Sequence, residues 1–152
     1  MRAMPTDVPA HLTIVTLGVT DLDRSARFYR ELGWEQRGNQ AEGITWFKTS
    51  GSWLGLFGYD ALAEDAATEP VPVDDLPAYR GVTLAINLES EAAVDLAFAR
   101  VLEVGGTIVK PAARTDWGGY SGYFADPDGH LWEIAHNPFW TIVDGQVDIG
   151  AS

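Results

Sequence analysis

Glu133 is the carboxylate that strand alternation directs toward an interior, and histidines stand near it at positions 130 and 136. Carboxylate and imidazole are the side chains from which divalent-metal sites and acid–base pairs are built. Their spacing works against both. His130 and His136 each lie three residues from Glu133, an odd separation that sends them to the opposite face of an extended strand. His11 stands three residues before Ile14 and faces away by the same count. The chain has no cysteine, which excludes thiolate ligands, disulfides and cysteine nucleophiles. In an apolar cavity the charged form of Glu133 would be disfavoured, poising it as a lone catalytic acid or base. The plainer alternative is a strand residue that pairs with an arginine or meets solvent.

The other acidic cluster, Glu64, Asp65, Glu69, Asp74 and Asp75, does not match the spacing of a calcium loop and reads as a solvated face. A formal charge of −12, with no local Lys/Arg cluster against it, excludes nucleic acid and anionic lipid as partners. Residues 1–10 contain two prolines and no apolar stretch of signal-peptide type, and no apolar run is long enough to span a bilayer. A cytoplasmic protein with no membrane partner is expected.

The elements that must position these residues follow from periodicity. From Leu12 to Val19, Val15, Leu17 and Val19 alternate with Ile14, Thr16 and Gly18, the pattern of a strand with two distinct faces. Asp21 or Asp23 can cap a helix that carries Leu22, Ala26, Tyr29 and Leu32 on one side and ends at Gly33. The order then recurs. Leu84, Ile86 and Leu88 alternate within 83–88, Ser90 caps a helix with Val94, Ala97 or Phe98, Val101 and Leu102 inward, and Gly105 ends it. Three strand-like runs follow each helix, at 34–37, 44–49 and 53–57, then at 107–109, 122–125 and 130–136. The chain therefore divides into a first βαβββ module (12–57), an acidic proline-interrupted linker (58–80), a second module (81–136), and a C-terminal extension (137–152) whose Asp144-Gly145 turn predicts a hairpin.

Two stretches carry a family resemblance. Leu17-Gly18-Val19-Thr20-Asp21-Leu22 leads to Ser25-Ala26-Arg27-Phe28-Tyr29 and Leu32-Gly33. The second module has Phe124-Ala125-Asp126-Pro127-Asp128-Gly129-His130-Leu131-Trp132-Glu133-Ile134. In a duplicated βαβββ chain, these resemble the vicinal oxygen chelate superfamily of glyoxalases, bleomycin-resistance proteins and extradiol dioxygenases, over roughly residues 12 to 136. The resemblance implies an α+β fold of two tandem modules, each an incomplete barrel, packed around a central cavity. It also implies four side chains, from the first and last strands of both modules, holding a divalent ion open to vicinal oxygens of a substrate. Those positions fall on Ile14, Gly55, Thr83 and Glu133. Only Glu133 is a competent ligand, and one carboxylate does not hold a divalent ion with useful affinity. No bound metal or other cofactor is therefore expected; a divalent metal is the alternative.

Strand parity gives the cavity-facing set as Ile14, Thr16, Gly18, Gly55, Phe57, Thr83, Ala85, Asn87, Leu131, Glu133 and Ala135, with Trp46, Trp53 and Phe124 as flat walls. The set is small and apolar, with a few convergent polar groups, the usual composition of a small-molecule site. Trp117, in Trp117-Gly118-Gly119-Tyr120, is placed to close over a ligand. Trp34, Trp132 and Trp140 read as core or interface residues. The expected function is a small-molecule-binding protein of the glyoxalase/bleomycin-resistance type with a degenerate metal site, assembled as a homodimer. The alternative is a lyase, isomerase or dioxygenase that uses a divalent metal or Glu133 as base.

Overall fold

In a computed structural model, residues 7–150 are described. The first module runs β1 (Ile14–Val19), α1 (Leu22–Glu31), β2 (Glu35–Arg37), β3 (Ile44–Lys48) and β4 (Trp53–Gly58). The second repeats it as β5 (Leu84–Asn87), α3 (Glu91–Glu103), β6 (Thr107–Arg114), β7 (Tyr120–Ala125) and β8 (Leu131–His136). Each forms a four-stranded open sheet, in orders β1-β4-β3-β2 and β5-β8-β7-β6. In each, the outer strand that begins the module runs parallel to the one that ends it. That parallel pairing is what the intervening helix permits, since a crossover must return the chain to the same end of the sheet.

Capping residues set the helix boundaries. The Asp21 side chain accepts from Arg24 N at 3.0 Å, and Ser90 Oγ accepts from Ala93 N at 3.0 Å. α1 contributes Ser25, Ala26, Phe28 and Tyr29 to the interior, and α3 contributes Val94, Phe98 and Val101. Leu102, expected inward, is exposed, because Phe98 and Val101 already occupy the face that α3 turns to its sheet.

A single apolar core joins the modules through their helix-bearing faces. Leu17, Val19, Phe47, Leu54 and Leu56 come from the first sheet, and Phe124, Trp132 and Ile134 from the second. The Tyr29 ring lies 5.8 Å from that of Phe47 and 6.0 Å from that of Trp132, so one helix packs on both sheets at once. Phe28 adds a 6.3 Å approach to Phe124. The α+β class and the two tandem modules are those expected from the sequence. The centre between the modules is filled by these side chains, and open space lies in clefts at its margin.

The linker, read from its prolines as irregular, opens with a helix, α2 (Tyr59–Asp65), before a 3-10 turn at Val73–Asp75. The helix packs on β1 and β4. Gly18 makes room for it, since a side chain there would meet the Tyr59 backbone at 3.3 Å. Tyr59 and Leu62, spaced for one helix face, were the available signal. The C-terminal extension forms the antiparallel pair β9 (Thr141–Val143) and β10 (Gln146–Asp148), turning at Asp144 and Gly145, both with positive φ. Gln146 Nε2 donates to Ser50 O at 2.8 Å and ties this hairpin to the first module. Among the described residues no helix is long and apolar enough to cross a membrane.

Candidate functional site: two clefts between the modules

Because the helix-bearing faces of both sheets are committed to the core, alternation turns Ile14, Thr16, Trp46, Gly55 and Phe57 to the outer face of the first sheet. Glu133, with Leu131, takes the outer face of the second. The parity expected from the sequence thus describes two outer faces rather than the walls of one central chamber. Glu133 sits opposite Tyr123 on β7 and Ala85 on β5. Partial burial, and then the Glu133 carboxylate, raise the Tyr123 hydroxyl above its ordinary pKa.

The positions implied for a metal do not fit one. A side chain at Gly55 would begin 3.0 Å from Thr16 Oγ1 and 3.4 Å from both Ile14 Cγ2 and Trp46 Cδ1, so neighbouring side chains fill the place a ligand would need. Ile14 and Thr83 offer no usable donor. The histidines are occupied elsewhere: His130 Nδ1 lies 2.9 Å from Asp126 Oδ2, and His136 Nδ1 donates to Leu88 O at 2.9 Å. His11 is exposed ahead of β1. Among the described residues no three His, Asp or Glu side chains gather as an ion would require.

Open space occurs where the free edges of β1 and β5 approach one another. The larger cleft is about 870 Å³. Its apolar walls include Val15, Trp34, Trp53, Leu84, Ile86 and Trp132, while Thr83, Asn87 and Gln146 supply hydrogen-bonding groups. The smaller, about 290 Å³, is bounded by Val15, Thr16, Leu17, Gly18, Leu84 and Leu131, together with Arg80, Val82 and His130.

These clefts divide the residues expected in one site. Trp53, Thr83 and Asn87 line the larger cleft; Thr16 and Leu131 line the smaller. Ile14, Trp46, Phe57 and Glu133 line neither. Phe124, expected as a wall, is a core residue 1% exposed and stacked on Trp132 at 6.1 Å between centroids. It pairs with Trp132 across β7 and β8 and must share that residue's inward face. Trp117 is 49% exposed in the β6–β7 turn and lines neither cleft.

The sequence reading missed the cluster at the Asp126–His130 turn. Asp126 Oδ2 accepts from the buried Tyr29 hydroxyl at 2.7 Å and lies beside His130 Nδ1, while Oδ1 accepts from the backbone N–H groups of Asp128 and His130 at 3.0 and 2.8 Å. Burial pushes the Asp126 carboxyl upward, but the hydrogen bond and charge of His130 and the Tyr29 hydroxyl outweigh it, leaving the group below the ordinary carboxylate range. The Tyr29 hydroxyl moves the other way, well above its usual value, chiefly by burial and then by the Asp126 charge. Asp128 bridges the modules, accepting from Thr20 N and Oγ1 and from Ser25 Oγ at 2.8 to 2.9 Å. Asp-Pro-Asp-Gly was legible as a turn; the first-module partners of its carboxylates, Thr20, Ser25 and Tyr29, are distant in sequence and left no local mark.

Comparison with known proteins matches residues 10–134 to the family model described as the glyoxalase/bleomycin resistance protein/dioxygenase superfamily. A glyoxalase-related enzyme from Fulvimarina pelagi is 35% identical, with a TM-score of 0.82 over 94% of this chain and 100% of that one. A glyoxalase/bleomycin resistance protein/dioxygenase from Nocardioides is 26% identical, with a TM-score of 0.71 over 86% and 85% of the two chains. The metallothiol transferase FosB of Shouchella clausii (strain KSM-K16) is 29% identical over 121 residues, which is 79% of this chain and 75% of that protein.

Proposed function

Since the chain belongs to the glyoxalase/bleomycin resistance protein/dioxygenase superfamily, whose metal positions it fills with Ile14, Gly55 and Thr83, we propose that it binds a small molecule in the larger cleft without a resident metal. One observation carries this reading. Three indoles, from Trp34, Trp53 and Trp132, edge a cleft into which Thr83, Asn87 and Gln146 bring hydrogen-bonding groups. Flat apolar walls with a few directional polar groups suit a planar aromatic ligand that carries donors or acceptors.

Titration of tryptophan fluorescence against a panel of planar aromatic compounds, with native mass spectrometry for stoichiometry, tests the proposal. Saturable quenching by a one-to-one complex is expected. Trp53→Ala should weaken it about tenfold, the effect of losing about 1.4 kcal/mol of ring contact. The similarity to a metallothiol transferase and a glyoxalase-related enzyme favours a second reading, a metal-dependent lyase, isomerase or dioxygenase, or one using Glu133 as base. Stoichiometric Ni, Zn, Fe or Mn in protein purified without chelators would replace the first reading with this one.

A cytoplasmic homodimer belongs to the same proposal. β1, β2, β5 and β6 end their sheets unpaired, and Ile14, 45% exposed, adds an apolar side chain beside one of those edges. Light scattering on the eluting protein is expected to give twice the 16.5 kDa chain mass. A dilute-solution monomer would remove this part of the proposal.

A further inference from the structure

We propose that the smaller cleft is a separate binding site for a small amphipathic monocarboxylate, its head group held between Arg80 and His130 and its apolar part against Val82, Leu84 and Leu131. The lining residues reverse the character of the molecule. The chain carries a formal charge of −12, yet among the described residues no Asp or Glu lines this cleft, and its two ionisable side chains are basic.

Both basic groups are anchored, and each keeps a nitrogen without a partner among the described residues. Arg80 Nη2 donates to Asp128 O at 2.7 Å and Nε donates to Pro77 O at 3.3 Å, which anchors the guanidinium and leaves Nη1 uncommitted among the described residues. Gly129, next to His130, leaves room for the guanidinium, since a Cβ there would stand 3.1 Å from Arg80 Nη2. The imidazole is oriented from behind by Asp126, whose side chain is fully buried. Its Nε2 has no partner among the described residues. The only buried polar side-chain atom without a partner there is Arg24 Nε, so Nε2 reaches solvent.

The hydrogen-bond roles define what can bind. An ionised Asp126 only accepts, so Nδ1 carries the hydrogen, and in the neutral ring Nε2 is an acceptor. The ligand head group therefore pairs its charge with Arg80 Nη1 and hydrogen-bonds His130 Nε2. The charged and titratable groups at this turn are Asp126, which contacts the imidazole, its partner Tyr29 from α1, Asp128 with its ion-pair partner Arg24, and Arg80 from the linker. Among these, Asp126 and Asp128 are committed to the bonds described above. At about 290 Å³, against about 870 Å³ for the larger cleft, it suits a phenyl-sized acid.

Phenylacetate serves as the probe, followed by ¹H–¹⁵N spectra of the backbone and of the histidine ring nitrogens, with calorimetry for the affinity. Saturable shifts at His130 Nε2 and along β1 and 80–84 are expected. Arg80→Gln should weaken binding at least tenfold. Val82→Trp, at a position 62% exposed, should block the cleft while keeping both basic groups and the fold. Binding that survives Val82→Trp, or shifts that bypass the His130 ring, would overturn the site, as would no response at tens of millimolar phenylacetate. A planar neutral ligand of the larger cleft should still bind the Val82→Trp variant, which separates failure of this site from failure of that one.

Discussion

Asp126→Ala is expected to lower the unfolding free energy by about 3–5 kcal/mol, because removing one partner of a buried charged network leaves the others unsatisfied. The carboxylate accepts from the Tyr29 hydroxyl, the His130 ring and two backbone N–H groups, and Tyr29 has no exposure at all. Deleting it strands a phenol in the core and unties the turn that holds the second module to α1. Urea unfolding should show the midpoint falling with the slope unchanged. Asp126→Asn retains an acceptor for the backbone and should cost about half as much. The pH dependence follows from the lowered pKa of Asp126 in the folded state. A depressed carboxylate contributes stability that is fully present above the unfolded value, about 3.9, and is lost as pH falls through the lower folded value. The Asn variant should therefore show a flatter stability curve than the wild type in that acid window. Equal acid sensitivity in both would assign the effect to other carboxylates.

That turn also marks where the sequence stopped being readable. Alternation in 14–19 and 131–136, with Asp21 and Ser90 as caps, disclosed the strands, the helices and their duplication, because each signal is local to a few residues. The same alternation put Glu133 and Trp132 on opposite faces, as the structure has them. It left undetermined which face the partner module covers. The resemblance suggested a cavity between the modules; Tyr29, Phe28 and Trp132 fill its middle with aromatic packing, and open space remains in two clefts beside them. Phe124 was decidable in principle, since the cross-strand partner of an inward Trp132 must also face inward, but that needed the β7–β8 register. Arg80 was passed over as linker. Its role depends on a turn 48 residues away, and no periodicity encodes such a contact.

Trp132→Ala is expected to cost about 3–5 kcal/mol, the usual penalty for truncating a buried aromatic. The indole is 6% exposed, stacked on Phe124 at an interplanar angle of 4° and set edge-on to Trp34 at 5.4 Å, and its Nε1 donates to the Tyr29 hydroxyl at 3.0 Å. Tyr29 keeps its own bond to Asp126 in the variant, so the loss is chiefly one of packing. Since Trp132 also lines the larger cleft, the void would open into it rather than close as a sealed cavity. Added indole should then enter and restore stability by mass action, about 2.7 kcal/mol at a hundredfold excess over its dissociation constant. Thermal unfolding with and without indole measures this directly. A gain for the alanine variant larger than any the wild type shows would establish that core and cleft share the Trp132 wall. Destabilisation without rescue would mean that the surrounding rings collapse into the gap and that the cleft is not continuous with it.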